Sequence, residues 1–124
     1  MNIAEIKDYI EENNLDAIEE DSGLHYVIVK EGDGNHPSSS SNVTVLYEGA
    51  YTDGVVFDTR YDTNESISFS LSNVIEGWTE GIPKLSRGGE GILLIPSELG
   101  YGSNPPSGVR KNAVLIFRVE LIDF

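Results

Sequence analysis

Apolar residues recur along this chain in two rhythms. Between residues 2 and 13, Ile3, Ile6 and Ile10 fall at helical spacing among Glu5, Lys7, Asp8, Glu11 and Glu12. That stripe predicts a short amphipathic helix, with Asn2 to cap its start and Asn13-Asn14 to end it. A helix this short is marginal alone, so it must dock on the rest of the chain or on a partner. After the acidic stretch 16–21, the β-branched and aromatic run 24–29 predicts a strand. Val43, Val45 and Tyr47 then alternate with Thr44, Leu46 and Glu48, the period of a strand covered on one face, and Asp53-Gly54 supplies hairpin chemistry. Residues 67–71 alternate in the same way. Between Asn73 and Gly81 the pattern turns helical: Val74, Ile75 and Trp78 share a face, and Gly77 and Gly81 permit close packing or mark the end. The near-continuous apolar runs 91–95 and 113–122 read as central strands.

These elements predict an α+β fold: a curved antiparallel sheet of about five strands wrapped around one short helix, preceded by a short N-terminal helix. Residues 1–21 form an appendage and 22–124 the domain. Residues 32–41, rich in Gly, Ser and other turn formers, read as an exposed connector.

Length and charge narrow the function classes. The 124 residues suffice for one hydrophobic core. With 21 acidic against 8 basic residues, the net charge of −13 opposes binding to nucleic acid or anionic lipid. Cysteine is absent, which removes thiolate nucleophiles and cysteine-based zinc sites. No apolar run approaches the roughly 20 residues of a membrane span, so no membrane insertion is expected. Residues 1–5 are too acidic and polar for a secretory signal, yet equally compatible with a signal or lipid anchor removed upstream.

The common catalytic signatures are missing: no Gly-x-Ser-x-Gly, no phosphate-binding Gly-x-x-x-x-Gly-Lys and no Gly-x-Gly-x-x-Gly after a strand. His25 in a predicted strand and His36 in a polar loop match no local metal motif. Asp58, Asp62 and Asn64 lack the glycine and terminal glutamate of a calcium loop, so neither metal nor cofactor is expected. The glycines of residues 87–91 lead into a strand and read as a turn. What remains is an aromatic inventory, Tyr47, Phe57, Phe69, Trp78, Tyr101 and Phe117, and a carboxylate, Asp58, at the end of an apolar run. Each ring is individually ordinary core material. Jointly, with the only tryptophan on the predicted helix, they are able to floor a cavity between helix and sheet.

The segments 43–58, Val74-Ile75-Glu76-Gly77-Trp78, Leu94-Ile95-Pro96, Tyr101-Gly102 and 113–121 follow one another in the order seen in the FK506-binding-protein family of peptidyl-prolyl isomerases, which the chain resembles over residues 22–124. The resemblance implies that family's sheet wrapped on a helix. It also implies a proline pocket built from Tyr47, Phe57, Asp58, Val74, Ile75, Trp78, Tyr101 and Phe117, with Ile67 and Phe69 adjoining. Trp78, Val74, Ile75, Phe57 and Phe117 would hold the prolyl ring, Tyr101 would donate to a substrate carbonyl, and Asp58 with Tyr47 would position charge.

Three departures bear on that pocket. Thr63 stands where family members carry an arginine, leaving Arg60 as a differently placed substitute. Ile67 stands where an aromatic is common. Val109 replaces the isoleucine of a flap that here contains Pro105-Pro106 and ends in Arg110-Lys111. The implied function is rotation of X-Pro bonds in proline-containing polypeptides during folding, by a monomer inhibited by FK506- or rapamycin-type macrolides. A non-catalytic chaperone or peptide-binding module on the same fold is the alternative. The lead-in 21–27 and the acidic appendage resemble exported bacterial members, which points to the periplasm or cell envelope with the cytoplasm left open.

Overall fold

The N-terminal helix α1 (Asn2–Glu12) ends as its sequence dictates. Asn14 adopts the left-handed region at φ +54, and the Leu15 N–H reaches back to the Ile10 carbonyl at 3.0 Å while Asn14 N–H reaches Glu11 at 3.2 Å. These two bonds satisfy carbonyls that the last turn would leave orphaned. Leu15 and Ile10 then join one apolar cluster, so the helix end also aims the chain back onto the sheet. This computed structural model describes residues 2–61 and 63–124, the side chain of Asn2 excepted. Met1 and the Asp62 member of the loose oxygen set lie outside the described residues, and the capping role expected of Asn2 is likewise outside them.

Seven strands follow: β1 (Ile18–Glu19), β2 (His25–Lys30), β3 (Asn42–Ala50), β4 (Val56–Thr59), β5 (Ile67–Ser70), β6 (Glu90–Ile95) and β7 (Leu115–Asp123). All pairings are antiparallel, in the order β1-β2-β6-β7-β3-β4, with β5 also on β3. β3 is long enough to hold β5 against Asn42 to Val45 and β4 against Glu48 to Ala50 along one edge, with β7 on the other. The five expected strands are present. The two further ones are β1, a two-residue exposed pair, and β4, the short second arm of the Asp53-Gly54 hairpin.

The apolar runs of β6 and β7 are central, and the structure supplies the reason for their lack of alternation. Leu93, Ile95, Leu115, Phe117, Val119 and Leu121 face one cluster, whereas Ile92, Leu94, Val114 and Ile116 face another beneath Ile6, Tyr9 and Ile10 of α1. Both faces of the sheet are therefore covered, so neither set of side chains needs to be polar. α1 is further fixed by Thr52 Oγ1, which donates to Glu5 Oε2 at 2.6 Å.

The second helix, α2 (Glu76–Gly81), is shorter than its pattern predicts. Leu71–Asn73 form a 3₁₀ turn, and Val74 and Ile75 are extended (φ −123, ψ 176 and φ −58, ψ 147). The glycines of α2 permit its approach to β6: a Cβ on Gly77 would lie 2.6 Å from Ile95 Cγ2, and one on Gly81 2.8 Å from Leu93 Cδ2. No helix among the described residues is long and apolar enough to cross a membrane.

Candidate functional site

α2 is too short and too glycine-rich to fill the space over its side of the sheet. The remainder is a cavity of about 560 Å³ lined by Tyr47, Asp58, Ile67, Phe69, Asn73, Val74, Ile75, Trp78, Tyr101 and Phe117. Its size lies within the ordinary range for small-ligand pockets. Trp78 is its floor: buried, with Tyr47 edge-on at 5.0 Å, Phe117 edge-on at 5.0 Å and Phe69 tilted at 5.2 Å between ring centroids. Edge-to-face contacts of this kind fix ring orientation as well as adding attraction. The Trp78 Nε1–H is buried without a hydrogen-bond partner, a donor whose desolvation is uncompensated within the chain.

Polar groups gather at the cavity mouth. β3 carries Tyr47 inward and β4 brings Asp58 across from it, so the Tyr47 hydroxyl donates to Asp58 Oδ2 at 2.5 Å. Burial first, and this bond second, push the Tyr47 hydroxyl up to about 12, while Arg60 pulls the other way. Arg60 is anchored through its backbone N–H, which donates to the Tyr47 carbonyl at 2.8 Å. Burial, then the Asp58 charge, raise Tyr101 above its ordinary value. The site therefore presents a carboxylate held by one phenol, a second phenol in its field, and an apolar aromatic well beneath them.

Nine residues singled out in the sequence meet at this cavity: Tyr47, Asp58, Ile67, Phe69, Val74, Ile75, Trp78, Tyr101 and Phe117. Val74 and Ile75 reach it from extended backbone ahead of α2 and not from a helix face. Two others stand outside. Phe57 lies behind the wall, tilted against Tyr51 at 5.0 Å and edge-on to Phe117 at 5.6 Å, because neighbours on a strand of period two cannot both line one wall with Asp58. Val109 sits in the loop after Tyr101, its N–H bonded to the Pro106 carbonyl at 3.1 Å.

The structure adds Asn73, which closes the 3₁₀ turn beside Val74; an asparagine ahead of an apolar pair looks from sequence like a cap and carries no other signal. It also gives Arg60 the place beside Tyr47. Thr63 is exposed, with its hydroxyl 3.5 Å from the Arg60 carbonyl. Both histidines are occupied by backbone: His25 Nδ1 donates to the Gly23 carbonyl and His36 Nδ1 to the Pro83 carbonyl, each at 3.0 Å. The residues before β6 form the expected turn, with Gly88 at φ +85.

This architecture has close counterparts. A family model described as FKBP-type peptidyl-prolyl cis-trans isomerase matches residues 34–122. The isomerase FkpA of Escherichia coli K12 is 44% identical over 102 residues, which cover 82% of this chain and 38% of that protein. FkpA of Buchnera aphidicola subsp. Baizongia pistaciae is 42% identical over 108 residues, covering 87% of this chain and 43% of that protein. The chain thus spans less than half the length of these curated relatives. Among solved structures, the crystal structure of FkpA from Escherichia coli superposes with a TM-score of 0.87 at 40% identity, covering 97% of this chain and 57% of that one. A crystal structure of a peptidyl-prolyl cis-trans isomerase from Pseudomonas syringae pv. tomato gives 0.81 at 26% identity, covering 97% and 90%.

Proposed function

The chain belongs to the FKBP-type peptidyl-prolyl cis-trans isomerase family, and on that premise we propose that its aromatic cavity receives a prolyl ring and accelerates rotation about the X-Pro bond before it. The uncatalysed rotation faces a barrier of about 18–20 kcal/mol from amide resonance and takes tens to about hundreds of seconds. No bond between heavy atoms breaks, so the chemistry needs neither nucleophile nor leaving-group acid. It needs surroundings that favour the twisted imide over the planar one. An apolar well withdraws the imide from water and disfavours its charge-separated planar resonance form. Each 1.36 kcal/mol of preference for the twisted state is worth about tenfold in rate.

In this reading Trp78, Val74, Ile75 and Phe117 grip the ring, and Phe57 supports Phe117 from behind. Tyr101 donates to a client carbonyl. Asp58, held by Tyr47, places a fixed negative charge beside the rotating carbonyl. The observation that carries the reading is the convergence of the Tyr47–Asp58 bond, the Tyr101 side chain and the Trp78 floor on one cavity. Clients are proline-containing polypeptides, FK506- or rapamycin-type macrolides compete for the same well, and the working unit is a monomer. The lead-in 21–27, the acidic appendage before it and the similarity to the FkpA proteins support placement in the bacterial cell envelope.

The test is cis-to-trans conversion of a short X-Pro peptide, with and without an FK506-type macrolide. Acceleration that the macrolide blocks is expected, with Tyr101→Phe about tenfold slower, the equivalent of one lost hydrogen bond. A folded protein that binds the peptide without accelerating rotation would replace this reading with the chaperone or peptide-binding one.

A further inference from the structure

The loop that follows Tyr101 is closed at its neck by the Asn112 N–H, which donates to the Gly102 carbonyl at 2.8 Å. Between these residues it contains no strand or helix. Arg110 joins this loop to the β3–β4 hairpin in three ways. Its backbone N–H donates to the Tyr51 hydroxyl at 3.0 Å, its guanidinium lies over the Tyr51 ring at 4.1 Å from the centroid, and its Nη1 donates to Asp53 Oδ2 at 2.9 Å. Tyr51 is buried and tilts onto Phe57 at 5.0 Å; Phe57 meets Phe117 at 5.6 Å, and Phe117 meets Trp78 at 5.0 Å. Arg110 is thus the outer end of a continuous row of rings that reaches the cavity floor.

The ion pair is half-exposed at both ends and alone counts for little. The ring contact and the backbone bond reinforce it because all three fix the same residue against the same hairpin. We propose that Arg110 is a positioning residue for the isomerase site. By clasping Tyr51 and Asp53 it sets where the loop 102–112 stands beside Tyr101 at the cavity mouth, and hence how tightly a client segment is held. The clasp acts on client binding and leaves the twisting of bound imide to the cavity. It rests on the isomerase reading above.

The experiment compares the unaltered chain with Arg110→Ala, Arg110→Lys and Asp53→Asn, each shown to be folded by circular dichroism. It measures KM and kcat for an X-Pro peptide at low and high salt, and amide hydrogen exchange across 102–112. Arg110→Ala should raise KM about fivefold, the size that an exposed cation–π contact plus an exposed ion pair supports, with kcat changed less than about twofold. Exchange in the loop should quicken by a similar factor while β6 and β7 stay protected. Arg110→Lys should fall between the two. Asp53→Asn should raise KM about twofold at low salt and not at about 1 M, where charges are screened beyond about 3 Å. Unchanged KM and unchanged loop exchange in Arg110→Ala would overturn the clasp, as would an equal loss of kcat and thermal stability. If the unaltered chain lacks turnover, the isomerase reading fails instead, and loop exchange alone decides whether Arg110 holds the loop.

Discussion

The two faces of the sheet are covered by helices of opposite build. α1 is eleven residues long and lays Ile6, Tyr9 and Ile10 on Val27, Leu94, Val114 and Ile116, closing that face. α2 is six residues long, two of them glycine, and its one large apolar side chain is Trp78. Branched aliphatic side chains interdigitate until little space is left, as protein interiors generally do. Rigid rings meeting edge-on do not collapse into one another, and around Trp78 they stand as walls. The α1 face is closed and supplies stability alone, while the α2 face has an aliphatic core of its own and, where rings wall it around Trp78, also leaves room for a site.

Truncating one residue on each face should separate these roles. Phe117→Ala removes a wall and a core ring at once, with an expected loss of about 3–5 kcal/mol in stability and, in the fraction that remains folded, most of the isomerase rate. Urea unfolding together with peptide turnover measures both; a folded variant with full rate would remove Phe117 from the site. Ile6→Ala on the opposite face should cost about 2–5 kcal/mol by the same unfolding assay and leave turnover per folded molecule unaltered. A rate that fell with it would mean that the two faces are coupled.

Smaller changes sharpen the contrast. Gly77→Ala puts a methyl 2.6 Å from Ile95 Cγ2, so α2 must lift from β6, at about 1–3 kcal/mol. The cavity floor moves with it, and peptide affinity should weaken, which titration calorimetry would detect. The smallest effect is alkaline. Because folding raises Tyr47 from 10 to about 12, its contribution to stability is complete below pH 10 and is lost as pH rises through 12. Tyr61, also raised to about 12, adds to the same decline. Tyr47→Phe should therefore flatten, without abolishing, the fall in melting temperature across that range.

Much of this was legible in the residues. β5 announces itself by alternation and β3 by one that Leu46 interrupts, and the apolar runs of β6 and β7 mark them as central, although the covering of both faces shows only when α1 is seen docked. The rings of the cavity were identifiable as a set. What sequence does not carry is how far a helical rhythm extends. Val74 and Ile75 obey helix spacing yet lie in extended backbone, because the start of α2 is set by how closely Gly77 and Gly81 meet β6. Likewise β1 is held to β2 by backbone pairing, with exposed Ile18 and Glu19 giving no periodic signal. Phe57 and Val109 match a motif but not a wall. Arg60, three residues before Thr63, shows that a charge beside Tyr47 can arrive from a neighbouring place in the same loop.

Trp78 is the chain's only tryptophan, and it lies on the floor of the cavity. Light at the red edge of tyrosine absorption excites it alone, so the molecule carries one native chromophore at the point where a client would arrive. Its emission reports occupancy of the well without any label, and quenching by a small solute separates an open mouth from a filled one.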